Sequence, residues 1–316
     1  MVRVTRDLGT LVPLFAQNYH VVKKFWTSDA TRQGSAFLYA CGGGVLDPAW
    51  LKQLSKMVRK QSGRFADEVD LVTGAAAAGF ADPFGGIHLM KMAWDMLKGR
   101  PFSSGPYLSL AAVVLAEHAP AGHYGLVAQR ARDCFVAQRA YHSFVTSHDD
   151  YLPSVLLALT PMDVPTLGSV VEGTYRRFKP WFGHNETQAL AQVLVAGGAL
   201  EMDPGRLLAV LGALNRADVK IVAASGVSAL GALAQVSADH DWLAASVAGV
   251  SRHLGALKVP TGMFAKGARD TLAMLLVATA VGDGAQEQLA RAVLYNTVAR
   301  TVAEEQAATR AYYHPV

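Results

Sequence analysis

The groups best suited to chemistry stand where apolar segments begin. Ser147-His148-Asp149-Asp150 places a hydroxyl, an imidazole and two carboxylates in consecutive positions ahead of Tyr151. His184 and Asn185 hold the equivalent place ahead of the next apolar segment, and Lys266, Arg269 and Asp270 ahead of the last. His142, His148, Asp149 and His184 are of types that ligate zinc or iron when the fold brings them together. Asp149-Asp150 is of the type that holds magnesium and a diphosphate. The simpler reading is structural. Ser, Asp and Asn are the preferred N-cap residues of any helix, so this turn needs no ligand, and neither a metal nor a cofactor is expected.

The common catalytic and nucleotide-binding patterns do not occur. There is no G-x-x-x-x-G-K-[ST] loop, no H-E-x-x-H, no G-x-S-x-G elbow and no EF-hand loop. Cys41-Gly-Gly-Gly44 lacks the following Lys-Ser or Lys-Thr and reads as a helix end and linker. Cys41 and Cys134 stand far apart, outside any C-x-x-C spacing, so a zinc site or disulfide framework is not expected. All-helical class I terpene cyclases use an Asp-rich motif similar to Asp149-Asp150, and Arg310 with Tyr312 is similar to their Arg-Tyr ending. Their second metal motif is missing.

The elements that position these groups are helices. Hydrophobic residues make up 51% of the chain and charged residues 17%, which excludes disorder and provides ample apolar surface for a core. Tyr107–Ala116, Tyr151–Leu159, Ala189–Ala196, Ser228–Ala234 and Thr271–Ala278 are alike, rich in small residues and apolar nearly all round. Ser35–Ala40 and Leu71–Ala78 are weaker copies. Copies recur roughly every 36 to 44 residues, the range of helical-pair repeats. A more amphipathic helix precedes each, as in His88–Lys98, Gly125–Gln138, Leu167–Phe178, Pro204–Arg216 and Trp242–Leu257. Asp47-Pro48 and Asp203-Pro204 supply N-caps followed by Pro at the first helical position.

The expected fold is therefore all-α: a HEAT- or TPR-like α-solenoid, a superhelix of about seven stacked antiparallel helix pairs. It forms one domain over residues 1–316, strongest between 85 and 281, and a helix near 285–309 caps its C-terminal end. Strand-like alternation and hairpin signals are absent. The apolar stretches are about ten residues long where a membrane span needs about twenty. Basic residues come at most in pairs, Lys23-Lys24 and Arg176-Arg177, without a stripe for phosphates. Neither nucleic acid nor membrane is expected as a partner.

Three segments carry a family resemblance. Phe102–Ala111, Thr146–Leu157 and Asn185–Leu194 each join a polar turn to a Leu-rich helix. The chain thereby resembles, from about Phe15 to Val281, an uncharacterised bacterial family catalogued as domain of unknown function four thousand and three. Thr187 and Ala191 depart from the Leu and Ser of its pattern, and His184 is an extra residue. The resemblance implies an all-helical cytoplasmic bacterial protein and no known activity.

Stacked pairs align equivalent helix ends, so the polar starts of the inner helices form one row. Ser147, His148, Asp149, Asp150, His184, Asn185, Lys266 and Arg269 are the candidate binding residues. The expected function is non-catalytic: binding of a peptide, protein partner or small ligand on a concave or edge surface. The alternative is an enzyme or ligand-binding protein of specialised metabolism, with a cleft lined by His148, Asp149, Asp150 and His184. An enzyme should enclose several hundred cubic ångströms around those groups.

Overall fold

Aspartates open most of the amphipathic helices. The carboxylates of Asp7, Asp47, Asp82, Asp163, Asp203 and Asp239 each accept a backbone N–H from the first turn that follows. They start α1 (Leu8–Val22), α3 (Pro48–Arg59), α5 (Pro83–Leu97), α9 (Val164–Phe178), α11 (Pro204–Arg216) and α13 (His240–Ala256). Pro48, Pro83, Pro165 and Pro204 stand in those first turns, where a missing N–H costs nothing. The seventh amphipathic helix, α7 (Tyr124–Tyr141), follows a 3₁₀ turn at Ala121–His123.

Each of these outer helices packs on the apolar helix after it. The inner set is α2 (Asp29–Cys41), α4 (Asp70–Ala77), α6 (Pro106–His118), α8 (Tyr151–Ala158), α10 (His184–Ala196), α12 (Ala223–Ala234) and α14 (Ala265–Val281). The computed structural model describes residues 7–61, 63–258 and 265–313, excepting the side chains of Ala265, Lys266, Tyr312 and Tyr313. Among the described residues there are fifteen α-helices and no strand. Inner helices touch in chain order from α2 to α14, and α14 returns against α1, which closes the series. Successive outer helices also touch: Arg216 at the end of α11 reaches Asp241 in the first turn of α13 at 2.7 Å.

The last helix is not a terminal cap. α15 (Gly284–Tyr313) packs against α2, α6, α8, α10, α12 and α14, and so runs through the middle of the ring. It buries the stripe of Leu294, Val298 and Val302, and beyond that stripe Leu289, Ala290, Val293, Tyr295 and Ala299. A cap would need a polar back; α15 is covered on several sides. Its direction follows from two ion pairs. Arg291, early in α15, meets Glu117 at the end of α6, whereas Arg300, about two and a half turns further along, meets Asp149 just before α8. α15 therefore runs opposite to the inner helices. Cys41 and Cys134 are both buried thiols.

Candidate functional site

The inner helices begin close together, at the end of the ring reached by the C-terminal half of α15. Tyr151 Oη donates to Pro101 O at 3.0 Å, tying the start of α8 to the link before α6. The Lys220 N–H donates to Asp270 Oδ2 at 2.7 Å, tying the link before α12 to the first turns of α14. At the 147–150 turn, the Ser147 N–H donates to Asp150 Oδ2 at 2.8 Å, and Ser147 Oγ to Asp149 Oδ1 at 2.6 Å. This is a helix-capping arrangement.

Asp150 carries more than a cap. Its Oδ1 accepts the side-chain amides of Gln188 and Gln192, at 2.8 and 2.6 Å, and the three residues are all buried. Gln192 also donates to Gln138 Oε1 on α7. Burial pushes the Asp150 carboxyl up to about 7, the Asp149 charge adds to this, and the amide donors oppose it. Asp149 is held by Arg300, whose guanidinium also bonds the Tyr107 hydroxyl. Burial, and then the Asp149 charge, raise Tyr107 to about 12.

Asp149, Asp150, Asn185 and Ser225 border one cavity with Asn296 and Arg300 of α15. Its volume is about 30 Å³, space for about two waters. Asn296 Oδ1 is buried there without a hydrogen-bond partner. The other candidates lie elsewhere. His148 is exposed, its ring edge-on to Tyr151 at 5.3 Å. His184 Nδ1 pairs with Tyr175 Oη at 2.7 Å, and His142 Nε2 with Glu172 at 2.7 Å. Arg269 donates to Ser251 Oγ at 3.3 Å, and the side chain of Lys266 lies outside the described residues. Among the described residues, no three His, Cys, Asp or Glu side chains are grouped to hold a metal ion.

A second, much roomier cavity was not anticipated. It measures about 570 Å³ and opens between the α1–α2 link, the start of α4 and the last turns of α15. Phe25, Trp26, Leu71 and Val302 form its apolar part, while Arg59, Glu68, Glu305 and Arg310 supply charge. Burial and neighbouring carboxylates raise both glutamates, Glu68 beside Asp67 and Glu305 beside Asp29. Trp26 is fully exposed. Only the return of α15 brings Glu305 and Arg310 to Trp26, so no local pattern could reveal this cleft. Gln188 and Gln192 were a readable signal: polar residues four apart in an apolar helix need buried partners.

The described helices include none long and apolar enough to cross a membrane. A family model described as "Protein of unknown function (DUF4003)" matches residues 18–307. The chain belongs to that family. No curated protein and no solved structure matches it.

Proposed function

We propose that the chain is a non-catalytic helical-repeat protein, a superhelix of helix pairs wound round α15, which binds a small ligand or peptide in the Trp26 cleft. The observation that carries this reading is the cleft's combination of size, apolar wall and charged rim. Its volume of about 570 Å³ falls within the range of ligand pockets. An exposed indole beside Glu305 and Arg310 offers a flat stacking surface between groups of opposite charge.

The test is a thermal-shift screen of nucleotides, amino acids, short peptides and common metabolites on wild type, Trp26→Ala and Glu305→Gln. A compound that raises the wild-type melting temperature and quenches tryptophan emission, with both effects weakened in the variants, places binding in the cleft. A compound that stabilises all three proteins equally places it elsewhere.

The enzyme reading with His148, Asp149, Asp150 and His184 keeps one supporting observation, the Asp150 carboxyl poised near neutrality beside a cavity. That cavity holds no more than about two waters.

A further inference from the structure

The links between helices sort charge by end. Links that lead into the inner helices carry Lys23 and Lys24, Lys60 and Arg64, and Lys98 and Arg100 in the first three. Lys179, Lys220 and Lys258 follow in the last three. The acidic residues of these links are mostly paired or buried. Asp149 is paired with Arg300 and Asp150 is buried; Asp67 and Asp218 take up Arg64 and Lys220 in exposed pairs, which leaves seven lysines and arginines against Glu68. Links at the opposite end hold Asp47, Asp82, Asp163, Asp203, Asp239 and Asp283, with Glu201, and not one Lys or Arg.

Helix dipoles favour this sorting, since lysines suit helix C-termini and aspartates helix starts. Dipoles give no reason for the apolar side chains at the basic end. Trp26 and Phe144 are fully exposed at link tips there, and Trp181, Val222 and Leu257 are each at least 40% exposed in the neighbouring links. Single exposed apolar residues are ordinary. Here all but Phe144 share their links with lysines, whereas the exposed Val45, Phe84, Leu126 and Trp242 at the other end stand in or beside links without Lys or Arg.

We propose that this end docks on the surface of an anionic lipid bilayer, its aromatic tips entering the interface and its lysines contacting the headgroups. A plane is the partner that reaches links on all sides of a ring at once. Tryptophan prefers the membrane–water interface, and lysine is drawn to the negative potential of anionic lipid. This replaces the expectation that no membrane is engaged, which rested on the lack of a spanning segment.

The experiment is co-sedimentation with vesicles of phosphatidylcholine alone and of phosphatidylcholine mixed equally with phosphatidylglycerol. Phe144→Ala and the pair Lys23→Glu, Lys24→Glu are the variants, because none of these positions lines the Trp26 cleft. Wild type should sediment with the anionic vesicles only, and less as salt rises. The lysine reversal should cut partitioning by more than ~10-fold, and Phe144→Ala several-fold, with unchanged melting temperatures. Absence of wild-type protein from the anionic pellet would overturn the proposal, as would variants that sediment like wild type. Binding to a polyanion such as heparin without binding to vesicles would overturn it too.

Discussion

Arg291 on α15 and Glu117 at the end of α6 form an ion pair across the interior, with Tyr295 Oη donating to the same Glu117 oxygen at 2.9 Å. The Glu117 side chain is 9% exposed, and burial raises its carboxyl above the usual range while Arg291 and Tyr295 oppose the shift. Removing one partner leaves the other charge buried and alone. Glu117→Leu or Arg291→Met should each cost about 3–5 kcal/mol, and the two substitutions together much less than the sum. Urea unfolding of the two single variants and the double variant measures this. A double variant that costs as much as both singles together would mean the residues act independently.

Asp150 predicts a pH dependence. Its folded pKa of about 7 lies above the ordinary carboxylate value of 3.8, so the folded state favours the protonated form. The stability this contributes is complete below the ordinary value and is lost as pH rises to about 7. Asp150→Asn cannot ionise and should lack this dependence. Melting temperatures of wild type minus variant should fall steadily from pH 4 to pH 7 and then level. A constant difference across that window would remove Asp150 as the titrating group.

The helix pairs were legible because their cause is local: Asp-Pro starts, amphipathic outer faces, and inner segments apolar all round. The polar turn at 147–150 was legible as a cap for the same reason. The place of α15 was not. Its buried surface is partly alanine, at Ala290, Ala292 and Ala299, and alanine suits a solvated helix as well as a buried one. Arg300 stands 151 residues from Asp149, and nothing in the spacing of either predicts the other. The Trp26 cleft depends on the same return of the chain, so it was hidden with it.

That long-range pair makes Asp149 matter more than a cap does. Losing a helix cap costs ~1 kcal/mol. Arg300 and Asp149 are only 19% and 23% exposed, so Asp149→Ala also strands a largely dehydrated guanidinium. The expected cost is about 2–3 kcal/mol. Asp149→Asn keeps a side-chain acceptor for Ser147 but loses the charge, and it should recover less than half. Denaturant midpoints of the two variants separate the contributions. Equal stability of Asp149→Asn and wild type would reduce the pair to a hydrogen bond.

Two glycine substitutions of opposite sign test the packing of the ring. Gly173 lies on the exposed side of α9, and a Cβ there meets nothing within 4 Å. Gly173→Ala should therefore stabilise by ~0.5–1 kcal/mol through helix propensity alone. Gly74 on α4 faces the backbone of α3. A Cβ would stand 3.0 Å from Ser55 N and 3.4 Å from the Leu54 carbonyl carbon, and main-chain atoms cannot swing aside as a side chain would. The same propensity gain of ~1 kcal/mol is then outweighed by overpacking of about 1–3 kcal/mol. Gly74→Ala should lower the melting temperature while Gly173→Ala raises it. A stabilised Gly74→Ala would show that α3 and α4 are free to move apart, and that the close approach of this pair is not enforced by the helices on either side.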